Sequence, residues 1–436
     1  MRKQIMKKIF IAIICVVAMR SGFGQTAAHK FTVGGIDVVL QPTTANEVIS
    51  GILFIKGGTS YLPSNETVAI EQLSLGVAAE SGSTKYTKDD YQKKLNRMVS
   101  TISGSGGQDY STMSLRCVRE HFNDTWNLFT DVIMSPAFDS TEIMKAKRAS
   151  ITAIRSVKSN PDAYIRYLLD SLYFAGHPYS RHATVDEVNA ITTDRLQAHF
   201  KELFVKSRLL LVVVGNVKEA DLRSKIEATL AKLPEGTYTA PDLRVPAEAS
   251  TSGFIGAEKH IPTTYIMGFY NAPTRMDKDY WPMFIGAETL SDRLFEEIRT
   301  KRNLSYAPYS GLNPNRTSVG ELYVTTTLPD SAVKVMFACV DSLQKYPISE
   351  EELKGEVSQF ITAIYTRQET SESQALVLGI YDILAGSYEK AEQVITAIQK
   401  VTPEEIQKAA NKYIHNINFA VVGDIDNVDQ SLFKSR

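Results

Sequence analysis

The chain has 436 residues, 43% of them apolar and 22% charged, with a formal net charge of −1. That length exceeds one ordinary core and suits a globular protein of two or more domains. Acidic and basic residues are mixed along it, which excludes the charge asymmetry of a nucleic-acid or anionic-membrane binder.

Arg2, Lys3, Lys7 and Lys8 precede an apolar run from Ile9 to Met19, and Gly22, Gly24 and Gln25 follow. This is the layout of a secretory signal. It predicts a signal peptide over 1–24, a mature chain from about Gln25, and export to the periplasm or the cell exterior. The run is too short to span a bilayer comfortably, and Ile14 is too bulky for lipidation at Cys15. No later segment reads as transmembrane, so the mature chain is expected to have no membrane span. Cys117 and Cys339 lie far apart in the sequence and are expected to be buried free thiols.

Beyond the signal, Thr32–Leu40 and Ile49–Lys56 read as paired strands, the second broken by Gly57-Gly58. Asp89–Val99 has helical spacing, with Tyr91, Leu95 and Met98 on one stripe. Tyr110–Val118 alternates as a strand, and His121–Ile133 and Thr141–Val157 read as helices. Strand pairs followed by helix pairs predict α+β architecture with antiparallel sheets.

The order then repeats at an offset of 210 residues. Ile151-Thr152-Ala153-Ile154 recurs as Ile361-Thr362-Ala363-Ile364, and Ile191-Thr192 as Val401-Thr402, each opening a helix. Each helix leads to an apolar strand ending in glycine, Gly215 in one copy and Gly423 in the other. A domain-sized period means two similar domains. The stretch between them, from Pro234-Glu235-Gly236 through Pro241 and Pro246 to Gly253, has linker composition. The expected division is 1–24 signal, 25–233 first domain, 234–253 linker and 254–436 second domain.

In the second copy, Arg293 to Tyr306 reads RLFEEIRTKRNLSY. This resembles the C-terminal signature of the M16 peptidases, the pitrilysin and mitochondrial-processing-peptidase group, in which an arginine precedes a tyrosine by seven positions. Here those residues are Arg299 and Tyr306. Ile55-Lys56-Gly57-Gly58-Thr59-Ser60, Gly176-His177-Pro178-Tyr179 and Val214-Gly215-Asn216-Val217 fall in the family's order, so the likeness covers nearly the whole mature chain. It implies two LuxS/MPP-like metallohydrolase halves, each an antiparallel sheet packed with helices, arranged as a clam shell. It also implies an extended peptide substrate added to a sheet edge.

The family's catalytic subunits carry His-x-x-Glu-His on a helix, where two histidines one turn apart reach zinc and the glutamate serves as general base. Setting Gly82 in register puts Leu73, Gly76 and Val77 at those positions, and no histidine occurs between His29 and His121. The downstream ligand position falls near Ile151–Ile154, which has no carboxylate. Cys117-Val118-Arg119-Glu120-His121 permutes the motif's residue types but joins a strand to a helix. His177 and His182 flank a proline turn, and His199, His260 and His415 are isolated. Gly104-Ser105-Gly106-Gly107 lacks the Lys-Ser/Thr of a phosphate loop and reads as a turn.

The resemblance therefore implies a non-catalytic subunit with no cofactor of its own. Its Arg299 and Tyr306 would contact the substrate carbonyl and oxyanion in trans, in a heterodimer with a zinc-bearing M16 homologue that contains His-x-x-Glu-His. The alternative is a peptide-binding or assembly scaffold without proteolysis. A third reading, a metallopeptidase with unorthodox ligands, requires zinc in this chain. Without the resemblance, Arg299 would read as one more cation on a helix face shared with Glu296, Glu297, Lys301 and Arg302.

Overall fold

The computed structural model describes residues 27–243 and 251–434, so the expected signal segment lies outside the described residues. The first half contains β1 (His29–Val33), β2 (Ile36–Pro42), β3 (Val48–Lys56), β4 (Thr101–Ser105), β5 (Tyr110–Val118) and β6 (Leu209–Gly215). They form one sheet in the order β1-β2-β6-β3-β5-β4. The second half contains β7 (Gly253–Glu258), β8 (Thr264–Asn271), β9 (Tyr309–Asn313), β10 (Val319–Thr326) and β11 (Asn418–Gly423), in the order β7-β11-β8-β10-β9.

The helices of ten or more residues are, in the first half, α1 (Ala69–Ser81), α2 (Lys88–Arg97), α3 (Phe122–Met134), α4 (Ser140–Ser156), α5 (Pro161–Tyr173), α6 (Thr193–Leu203) and α7 (Glu219–Ala228). In the second half they are α8 (Tyr280–Leu294), α9 (Pro329–Lys345), α10 (Glu350–Arg367), α11 (Ser371–Leu384) and α12 (Pro403–Tyr413).

The duplication read from the sequence is the duplication of the fold. With β1 set aside, the two sheets have the same strand order, and the parallel pairs β2·β6 and β7·β11 occupy equivalent places. Thr192 and Thr402 are the N-caps of α6 and α12, each accepting a bond from the backbone N–H three residues on. That satisfies one of the donors a helix start leaves unpaired.

The expected pairing of the first two strands does not occur. Gly34 and Gly35, with φ of +56° and +84°, turn the stretch Thr32–Leu40 into the β1–β2 hairpin. β6 then inserts between β2 and β3, parallel to one and antiparallel to the other. All seven residues of β6 are buried, as suits an unbroken apolar run in mid-sheet.

One face of each sheet packs on its own half's helices in a large apolar core. The opposite face is covered by a helix from the other half. Ile165, Leu168, Leu169 and Tyr173 of α5 lie against Met267, Phe269, Ala420 and Val422 of the second sheet. Reciprocally, Ala375 and Leu378 of α11 lie against Ile52, Phe54, Leu210 and Val212 of the first. α5 and α11 begin 210 residues apart, at Pro161 and Ser371, so the exchange obeys the internal repeat. At Gly379 on α11, an added Cβ would stand 2.0 Å from Phe54 Cε2; only glycine lets the helix approach this closely.

Polar contacts fasten the exchange. Arg166 of α5 donates two bonds to Glu321 of β10, each 3.0 Å. Buried Asp109 accepts from the Tyr179 hydroxyl at 2.6 Å and from the backbone N–H of Arg316 at 2.9 Å. His177 Nδ1 accepts from the Tyr179 N–H, so its Nε2 is assigned as donor to Thr317 Oγ1 at 3.2 Å. The His177 turn is therefore structural and also joins the two halves.

Candidate functional site

α8 ends in a widened turn. Residues Phe295–Thr300 form a π-helical segment, and the Lys301 N–H reaches back five residues to the Glu296 carbonyl. Asn303, at φ +51°, then reverses the chain, a left-handed conformation that asparagine tolerates at helix ends. The extra residue in the π turn swings Arg299 toward the outgoing strand. Its Nη1 donates to the Tyr306 carbonyl at 2.6 Å. Its guanidinium carbon lies 4.2 Å from the Tyr306 ring centre and 4.9 Å from that of Phe295. The structure thus brings the two candidate residues together, and Tyr306 is 77% exposed.

The other cations of this segment are neutralised. Arg293 pairs with Glu352, and Lys301 and Arg302 both pair with Glu297. Among the described residues, Arg299 has no carboxylate within ion-pair distance. A solvated salt-bridging face therefore describes its neighbours and leaves Arg299 out. Beside it lies an open cavity of about 330 Å3 lined by Thr263, Ser305, Tyr306, Thr325 and Thr326 with Arg299. Nothing in the sequence signalled that Thr263, just before β8, and the β10 threonines would meet this turn, because they are about 60 residues apart in the chain.

In the first half, α1 packs on β4. A Cβ at Gly104 would come 2.3 Å from the Leu75 carbonyl oxygen, and Gly106 N–H donates to Gln72 Oε1 at 2.8 Å. The run read as a turn is therefore half strand, with Gly104 and Ser105 closing β4 and Gly106 and Gly107 in the turn, and it is also the seat of α1. Leu73 and Val77 are buried in the core. Two residues before Leu73, buried Glu71 accepts from Ser111 Oγ at 2.5 Å and pairs with His199 Nε2 at 2.8 Å. This cluster pins α1 to β5 and α6, and His199, isolated in sequence, is committed to it.

Residues 190–360 match the Peptidase M16 inactive domain. Over 434 residues the chain is 20% identical to the Non-peptidase homolog YmxG of Helicobacter pylori, covering 96% of this chain and 99% of that protein. The crystal structure of a peptidase M16 inactive domain from Pseudomonas fluorescens superposes with a TM-score of 0.82 at 18% identity, covering 92% of this chain and 98% of that one. The chain is an M16 peptidase homologue. A third similarity concerns length: the periplasmic protease PqqL of Escherichia coli matches 93% of this M16 homologue at TM-score 0.77 and 16% identity, but with only 47% of its own chain.

The zinc of the family's catalytic subunits finds no fit in this M16 homologue. On α1 the matching positions hold two buried aliphatic side chains and Gly76, none of which can ligate metal or accept a proton. Among the described residues, no group of three His, Cys, Asp or Glu side chains could hold a metal ion. The decoys resolve physically. Cys117 lies within β5 while His121 ends a short 3-10 turn, so they belong to different elements. His182 lies against the Tyr167 ring, 4.4 Å between centres. Cys117 and Cys339 are both buried free thiols, and no described helix is long and apolar enough to cross a membrane.

Proposed function

We propose that this chain is the non-catalytic subunit of an exported, two-chain zinc protease. It binds peptide and offers Arg299 and Tyr306 to a partner M16 subunit carrying His-x-x-Glu-His and zinc. The observation that carries the reading is the Arg299–Tyr306 pair: a guanidinium with no carboxylate partner among the described residues, preset by a π turn and lying over a tyrosine ring at an open cavity. A fixed guanidinium and phenol suit developing negative charge on a carbonyl oxygen. The aliphatic residues of α1 support placing the metal in another chain. Two further points support a second chain. The two halves of this one pack directly on each other, so the far wall of a clam shell has to come from elsewhere, and PqqL is about twice as long as the stretch it shares with this chain. In the division proposed, 25–233 and 254–436 are the paired domains and 1–24 is removed on export.

The test is to purify the mature chain and a zinc-motif homologue from the same genome, then measure zinc content and peptide hydrolysis apart and mixed. The expected result is activity only in the mixture, with zinc in the partner. Arg299→Ala should slow the mixture about hundredfold, the usual loss for one oxyanion donor, with the melting curve unchanged. Stoichiometric zinc and hydrolysis by this chain alone would overturn the assignment. If no mixture cleaves while the chains still associate, the scaffold role replaces it, a role that the name of the Helicobacter pylori relative favours.

A further inference from the structure

The cavity beside Arg299 has a chemistry narrower than peptide binding in general. Its lining carries one formal charge, the guanidinium, and its other polar side chains are hydroxyls and one amide. Arg299 spends one N–H on the Tyr306 carbonyl; the remaining donors of its planar fork have no carboxylate among the described residues. Stacking on Phe295 and Tyr306 holds the plane in place, so little side-chain freedom is lost when it takes a ligand. Beside it, Ser305 is only 7% exposed and its hydroxyl has no hydrogen-bond partner. That hydroxyl is closed off from open space, so the guanidinium is the charged group a ligand in the cavity meets.

We infer that the cavity binds a carboxylate of the peptide, either its C-terminus or an Asp or Glu side chain, held by the Arg299 fork. A carboxylate matches a guanidinium in charge and in two-pronged geometry. A phosphate dianion would call for a second cation, and none lines the cavity. The volume, about 330 Å3, is at the lower end for small-ligand sites, enough for a terminal residue and not for a folded partner. This rests on the reading of Arg299 and Tyr306 as substrate contacts, and it adds a preference: peptides that present a carboxylate here bind better than those that do not.

The experiment uses the full mature chain without any protease partner. Fluorescence anisotropy is measured with three labelled peptides of one neutral sequence: free C-terminus, C-terminal amide, and C-terminal amide with one internal Gln replaced by Glu. One or both carboxylate-bearing peptides should bind roughly tenfold tighter than the neutral amide, the scale of a charge-assisted contact. Which of the two does so identifies the terminus or the side chain as the source. Arg299→Met should erase the difference, and Arg299→Lys should restore only part of it, because the ammonium lacks the fork. Circular dichroism of both variants should match the parent. Equal affinity for all three peptides, no binding of any, or a difference that survives Arg299→Met would overturn the inference. Since no cleavage is read, a failed split-protease experiment leaves this result standing, and the reverse also holds.

Discussion

Gly379→Ala should destabilise the protein, although alanine is the better helix former. In an exposed helix interior the change stabilises by about 1 kcal/mol. Gly355, on α10, is such a site, because a Cβ added there would meet nothing within 4 Å, so Gly355→Ala should show that gain. At Gly379 the new methyl would stand 2.0 and 2.2 Å from two ring carbons of Phe54, against a normal carbon–carbon contact of roughly 3.5–4.0 Å. Phe54 is fully buried in mid-sheet, so either its ring repacks or α11 lifts from the first sheet. Overpacking of this kind costs about 1–3 kcal/mol, and an overlap this deep belongs at the upper end. Net of the propensity gain, about 2 kcal/mol is lost. Guanidinium unfolding of the two single variants and the parent measures both changes. Phe54→Leu in the Gly379→Ala background should recover part of the loss. A Gly379→Ala protein as stable as the parent would refute the close packing of α11 on the first sheet.

Three other predictions concern charge and thiols. Burial and the neighbouring Asp292, Glu288 and Glu352 push Glu356 up to about 7, and burial pushes Asp170 up to about 7 against the pull of Arg166. Both folded values exceed the unfolded ones, so the folded state holds extra protons between about pH 4.5 and 7 and stability falls as pH rises through that window; Asp170→Asn with Glu356→Gln should flatten the melting temperature across it. Arg166→Met leaves Glu321 nearly buried without its cation, which should cost roughly 2–3 kcal/mol by denaturant titration, and Glu321→Gln in that background should recover part of it. Burial pushes both cysteine thiols up to about 11, so neither should react with a thiol reagent at about pH 8 in the native protein, and both should react in denaturant.

Much of the fold was legible because it is written in local periodicity. β5 begins and ends where alternation from Tyr110 to Val118 placed it, and α4 covers Ser140–Ser156 against an expected Thr141–Val157. The pairing of Thr32–Leu40 with β3 failed because β6, about 170 residues further on, carries the stronger apolar run and takes the central place. No local pattern announces which distant strand will intercalate. The spacing of Arg299 and Tyr306 was readable, and their meeting follows from the π turn. The absence of an ion pair at Arg299 was not, since Glu296 and Glu297 stand in the same stretch and only three-dimensional geometry sends Glu297 to Lys301 and Arg302. The Glu71–His199 pair spans 128 residues and was invisible for the same reason.

The helix exchange has a consequence for the order in which the chain can mature. β6, the last strand of the first sheet, is complete at Gly215, but the helix that covers that sheet's second face ends at Leu384. At ordinary synthesis rates the interval is roughly 10–30 s. Throughout it, Ile52, Phe54, Leu210 and Val212 form a bare apolar surface on an otherwise finished sheet. The second sheet never faces such a wait, because α5 is made before any of its strands. Two halves built to the same plan thus carry unequal burdens during biogenesis, and the earlier-made half is the one that stays vulnerable.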